Sequence, residues 1–175
     1  METVSSCFRG GGIAGSPQEM NMTPEARDGA SKVLVVDDNL QNLELLVEYL
    51  QTIEEVTTVT ATDGLDALEK VQESRPDLIL LDIMMPRMSG FEVCRKLKSD
   101  PETRDIPIIM VTALNELGDI ERGVESGTDD FLSKPVNRLE LLTRVKTLLR
   151  LRHLKDELER TLAYLNDVES APPPE

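Results

Sequence analysis

The chain has 175 residues, 39% of them hydrophobic, which suits one domain of ordinary size plus extensions. Its 19 basic and 33 acidic side chains leave a net charge of −14, which argues against nucleic-acid binding by phosphate neutralisation. No apolar run approaches the roughly 18 residues of a membrane span, no basic-then-apolar leader is visible, and two distant cysteines, Cys7 and Cys94, make neither a disulfide scaffold nor a Cys-based zinc site; a cytoplasmic protein away from membranes is expected.

Residues 1–31 carry Gly10-Gly11-Gly12, Gly15, Pro17, Pro24 and Gly29 without strand or helix periodicity, and read as a disordered N-terminal tail. Residues 32–150 then alternate strand and helix signals. Lys32 to Val36 is continuously apolar from Val33 on, as in a strand buried on both faces. Asn39 can cap a helix with Leu43, Leu46, Val47 and Leu50 on its apolar side. Val56 to Thr60 is β-branched and predicts a second strand. Gly64 opens a helix with Leu65, Leu68 and Val71 inside. Asp77 to Leu81 is a third buried strand. Ser89 caps a helix to about Lys98, with Phe91, Val93, Cys94 and Leu97 apolar. Ile106 to Val111 is a fourth strand, a weaker helix follows from about Glu116 to Ser126, and Asp130 to Ser133 is a short fifth strand. Pro135 starts the last helix.

Strands separated by helices imply βαβ units, and right-handed crossovers then cover a parallel sheet on both faces. Such an α/β, doubly wound sheet binds ligands beyond the carboxyl ends of its strands. Residues 136–169 form one helical pattern without internal Pro or Gly. Its early part, with Leu139, Leu142, Val145 and Leu149, can pack on the sheet. Residues 151–169 repeat Leu151, Leu154, Leu158, Thr161, Leu165 and Val168 at 3–4 spacing, over fewer than three heptads. Two readings stay open: an amphipathic helix folded back on the domain, and a two-chain coiled coil. Residues 170–175, with Pro172-Pro173-Pro174, form a disordered tail.

The strand ends carry the chemistry. The first ends at Asp37-Asp38, the third at Asp82, the fourth at Thr112-Ala113, and the fifth near Lys134-Pro135. Three close carboxylates repel one another unless a cation intervenes. A hard divalent ion with oxygen ligands answers that need, and Mg2+ is the natural choice, since it uses few carboxylates. With metal and ammonium neutralising phosphoryl oxygens, a carboxylate can attack phosphorus. Each residue alone has an ordinary explanation as a turn, cap or strand end; their joint placement in this order is what points to phosphoryl transfer onto an aspartate.

These residues resemble the receiver domain of bacterial two-component response regulators. The matching pieces are Val33 to Asp38, Asp77 to Gly90, Pro107 to Ala113 and Gly127 to Pro135. The resemblance implies a flavodoxin-like sheet of strand order 2-1-3-4-5 over residues 32–150, with the fifth helix extended. It implies that Asp82 is the phosphoacceptor, that Asp37, Asp38, Asp82 and the Met84 backbone carbonyl hold the metal, and that Thr112 and Lys134 grip the phosphoryl group. It further implies a switch through Thr112 and Phe131, and a cis bond between Lys134 and Pro135. The implied partners are a sensor histidine kinase or phosphotransfer protein and, through the fifth helix, a second copy. A phosphorylation-dependent switch of the face made by the fourth helix, fifth strand and fifth helix is the expected function. Apart from its own phosphorylation and dephosphorylation, no enzyme activity is expected. Met84 and Leu114, apolar and beside the site, predict a long-lived phosphoaspartate. The leucine-rich extension is similar to those ahead of output domains such as diguanylate cyclases, so the output is expected in a partner protein or in a domain cut away. The rival readings are an aspartyl-phosphate phosphohydrolase, against which Asp37-Asp38-Asn39-Leu40 speaks, and a dimerisation scaffold indifferent to phosphorylation.

Overall fold

A computed structural model describes residues 29–113 and 117–170 of the protein. Strands β1 (Ser31–Val36), β2 (Val56–Ala61), β3 (Leu78–Asp82), β4 (Ile108–Thr112) and β5 (Asp130–Ser133) alternate with helices α1 (Leu40–Leu50), α2 (Gly64–Ser74), α3 (Gly90–Ser99), α4 (Leu117–Ser126) and α5 (Arg138–Ser170). All pairings are parallel and the order is β2-β1-β3-β4-β5. This is the doubly wound sheet that the alternating signals predict, with the flavodoxin-like strand order that the resemblance implies.

Both faces of the sheet are covered, and the alternation along each strand decides which residue goes where. Leu34, Val36, Ile79, Leu81, Ile108 and Met110 pack with Ala67 and Val71 of α2 and with Val93, Cys94 and Leu97 of α3. Val33, Val35, Leu78, Leu80, Ile109 and Val111 face Leu43, Leu46 and Leu50 of α1 and Leu141, Val145 and Leu149 of α5. The central strands β3 and β4 are buried along their whole length.

The caps are readable in the chain. Asn39 Oδ1 accepts from the Gln41 and Asn42 N–H groups, and Asp63 does the same for Leu65 and Asp66. Ser89 and Glu92 close a capping box at α3. Four expectations need correction. Leu65 is 50% exposed; the buried row of α2 is Gly64, Ala67 and Val71, and Leu65 lies about 100° around the helix from it. Leu139 is 75% exposed, because the i, i+4 row Leu141, Val145 and Leu149 takes the core-facing side of α5. The last helix starts at Arg138 rather than Pro135. Asn137 is its cap, accepting from the Glu140 N–H at 3.1 Å through its side chain and from the Leu141 N–H at 3.0 Å through its carbonyl. Strand β4 begins at Ile108 instead of Ile106, since Pro107 has no N–H to give the ladder.

Helix α5 is one continuous element of 33 residues, about 50 Å long. It does not fold back: every residue from Glu157 to Val168 is exposed. Its exit direction is held by contacts the sequence did not announce. Arg152 donates to the Asp105 carbonyl at 2.9 Å, Lys155 pairs with the Asp105 carboxylate, and His153 meets Ser31 Oγ at 3.2 Å. No helix among the described residues is long and apolar enough to cross a membrane.

Candidate functional site

Strands β1 and β3 are neighbours, so their carboxyl ends deliver Asp37 and Asp82 to one place. Asp37 is fully buried and Asp82 nearly so, at 3% exposure, whereas Asp38 is exposed. Carboxylate oxygens of Asp37, Asp38 and Asp82 lie within 4.8 Å of one another. Strand β5 lies beyond β4 and supplies Lys134 just past its end. The Lys134 ammonium donates to Asp37 Oδ2 at 2.7 Å and stands 3.2 Å from Asp82 Oδ2.

The local chain fixes each of these groups. Asp37 Oδ1 accepts from the Asn39 N–H at 2.9 Å, and Asn42 Nδ2 reaches both carboxylate oxygens of Asp37 at 3.2 and 3.1 Å. Asn42 is thus a site residue that the sequence reading missed; its signal was a position five residues past Asp37, on the first turn of α1 facing back to the strand end. The Met84 N–H donates to Asp82 Oδ1 at 3.4 Å. The loop carrying Met84 is turned by Arg87, which takes a left-handed φ of 67° and pairs with the α2 cap Asp63. Gly90 packs so closely on the Asp82 carbonyl and Ile83 Cα that no Cβ would fit. Thr112 ends β4, buried, and its carbonyl accepts the Lys134 N–H at 2.7 Å. The Lys134–Pro135 peptide bond is cis. Phe131 is half-buried on β5, its ring against Gly123 of α4. Leu114 and the tail residues 1–28 lie outside the described residues.

The electrostatics follow from this packing. Burial pushes the Asp82 carboxyl above the usual carboxylate range; the Lys134 charge opposes that rise and the Asp37 charge adds to it. Burial pulls the Lys134 ammonium down, but its hydrogen bond to Asp37 and the charges of Asp82 and Asp37 outweigh that and hold it above its ordinary value. The site is therefore short of positive charge even with Lys134 in place. Three oxygen ligands, one of them on a carboxylate that is costly to ionise, are a donor set suited to a hard divalent cation.

A doubly wound sheet with clustered aspartates and a lysine at its carboxyl edge is the arrangement of a receiver-type α/β domain. The response regulator receiver domain family matches residues 33–146. The response regulator PleD of Caulobacter vibrioides is 48% identical over 131 residues, covering 75% of this chain and 29% of PleD. The phosphate regulon transcriptional regulatory protein PhoB of Rhizobium meliloti is 41% identical over 138 residues, covering 79% of this chain and 60% of PhoB. Among solved structures, the chemotaxis protein CheY4 of Vibrio cholerae superposes with a TM-score of 0.65 at 32% identity, over 69% of this chain and 99% of that one. The chain belongs to the response regulator receiver domain family and carries the receiver domain of a two-component response regulator. It spans less than two thirds of the length of PleD and of PhoB.

Proposed function

We propose that Asp82 is the phosphoacceptor of this receiver and that its phosphorylation is read out through α4, β5 and α5. The observation that carries the reading is the Lys134 ammonium bridging Asp37 and Asp82 at the sheet edge. An Asp82 carboxylate oxygen attacks the phosphorus of a phosphohistidine on a sensor kinase or phosphotransfer protein; the O–P bond forms as the P–N bond breaks, and the imidazole leaves. Lys134 neutralises one phosphoryl oxygen and Thr112 donates its hydroxyl to another. Asp37, Asp38, Asp82 and the Met84 carbonyl would hold magnesium, and the carboxylate cluster fits that ion. When bound, magnesium supplies the positive charge that dianionic phosphoryl oxygens require. Asn42 keeps Asp37 oriented for it.

Phosphorylation adds about 1.5 to 2 negative charges beside Thr112 and Lys134. Thr112 moves toward them, Phe131 follows into the space it leaves, and the α4–β5–α5 face changes. Because α5 runs unbroken from that face into residues 151–168, the change reaches the extension, where two copies pair. The protein acts in the cytoplasm, and residues 32–150 serve as the receiver with 151–169 as its signalling helix. In a second reading the extension feeds an output domain on the same polypeptide, such as a diguanylate cyclase. The 29% coverage of PleD, a longer response regulator, favours it.

The test is incubation with magnesium and a small-molecule phosphodonor, read by intact mass, with Asp82→Asn as control. One phosphoryl group on the wild type and none on the control is expected; labelling of both variants sinks the assignment. Light scattering with and without beryllofluoride reads the pairing.

A further inference from the structure

Helix α5 leaves the domain with an apolar stripe that no described residue covers. Leu151, Leu154, Leu158, Leu162 and Leu165 are each about half exposed. At about 100° per residue they lie on the side of α5 opposite to Leu141, Val145 and Leu149, which pack on the sheet. Nearer the domain the stripe's side carries Glu140, Arg144 and Thr147, so the apolar surface begins only at Leu151.

Charge is divided along this segment. Arg150, Arg152 and Lys155 occupy its first part. Glu157, Glu159 and Asp167 follow, with Arg160 as the one described cation among them, while Asp156 is buried and pairs with Arg152 at 3.4 Å. A parallel pair would lay basic on basic and acidic on acidic. With Leu151 and Leu158 at a and Leu154 at d, it also sets Arg150 at g against Lys155 at e of the second copy. Lys155 shares its charge with Asp105 and Glu159, which softens that repulsion without reversing it.

We infer that residues 151–168 pair antiparallel with a second copy of this chain. The inference rests on the pairing proposed above and assigns its direction. In this orientation Arg152 stands level with Asp167 of the second copy and Glu159 with its Arg160, and the helix dipoles oppose. The seam closes on itself: Leu151 meets Val168, Leu154 meets Leu165, and Leu158 meets Thr161 of the second copy. Thr161 is compatible with that place because its hydroxyl already donates to the Glu157 carbonyl at 2.9 Å, leaving its methyl for the seam. The attraction is between surface charges, so added salt weakens it.

Cysteine cross-linking decides the matter. In a Cys7→Ser background, with the buried Cys94 retained, Leu151→Cys and tagged Val168→Cys chains are oxidised separately and mixed. Both positions are exposed, so folding is not at stake. A disulfide in the mixture between tagged and untagged chains, with little in either alone, is expected, since identical positions lie about 25 Å apart in an antiparallel pair. Efficient cross-linking of Leu151→Cys with itself means a parallel pair and overturns the inference while leaving the proposed pairing intact. A monomer by light scattering with no cross-link overturns both, and phosphorylation of Asp82 is still read independently by mass. A dimer dissociation constant that falls as salt rises also overturns it; a several-fold increase is expected.

Discussion

Gly123→Ala is the sharpest probe of how β5 and α4 communicate. Gly123 sits inside α4, where alanine is worth about 1 kcal/mol more than glycine by propensity alone. Yet a Cβ built there lands in the Phe131 ring, against its Cζ and Cε1. Carbon atoms pack at ~3.5–4.0 Å, so the ring would have to withdraw by about 1 Å or more. Overpacking of this kind costs about 1–3 kcal/mol. Against the propensity gain, the single substitution should range from neutral to about 2 kcal/mol destabilising. In a Phe131→Ala background the clash is gone, and the same change should stabilise by about 1 kcal/mol. Urea unfolding of the four proteins measures the cycle, and the expected coupling of about 1–3 kcal/mol exceeds the ~0.3–0.5 kcal/mol scatter of independent sites. If Gly123→Ala has the same effect in both backgrounds, the ring does not occupy the space the glycine leaves. The functional corollary is that Gly123→Ala still takes a phosphoryl group at Asp82 but shows an altered light-scattering response to beryllofluoride.

Three further outcomes follow from the site. Burial holds the Asp82 carboxyl above its ordinary 3.8, so the folded protein takes up that proton before the unfolded one does; stability without metal therefore falls as pH rises from 3.8 through the raised value, and ionised Asp82 remains a cost at neutral pH. Asp82→Asn should melt higher than wild type in EDTA at neutral pH, with the gap closing toward about pH 4; a gap independent of pH would falsify this. Lys134→Met leaves Asp37 and Asp82 unscreened, and because Lys134 is 22% exposed the loss should fall short of the about 3–5 kcal/mol of a fully buried pair; magnesium should restore part of it in urea titrations, and no metal dependence would show that the carboxylates are not the cause. Met84 is 61% exposed and apolar, and so orders an attacking water poorly; Met84→Asn should shorten the phosphoaspartate lifetime, and an unchanged decay rate removes that account of the kinetics.

The architecture was legible because each level of the sequence agreed with the next. Apolar runs at Val33–Val36 and Leu78–Leu81, caps at Asn39 and Ser89, and intervening amphipathic helices together allow few topologies other than a parallel sheet covered on both sides. Asp37, Asp38, Asp82, Thr112 and Lys134 could be singled out because a strand's carboxyl end is a definite address in such a sheet. Periodicity was weaker on the helices. Leu65 and Leu139 each match an apolar spacing and each lie outside, because the side of a helix that faces the sheet is chosen by all its residues together. Pro135 reads as a helix start by local preference, yet Asn137 supplies the cap.

Other features existed only once the chain was folded. Asn42 becomes a holder of Asp37 because the first turn of α1 turns back over β1. Gly90 and Gly123 look like unremarkable helix residues until the Asp82 carbonyl and the Phe131 ring occupy the space a side chain would need. Asp105 steers α5 through Arg152 and Lys155, partners 47 and 50 positions away in the chain. Hydrophobic pattern and strand-end chemistry are properties of neighbours in sequence, so the chain itself carried the sheet and the acidic edge. Close approach, the orientation of a buried carboxylate and the direction of the exit helix depend on groups far apart in sequence, and only tertiary packing sets them.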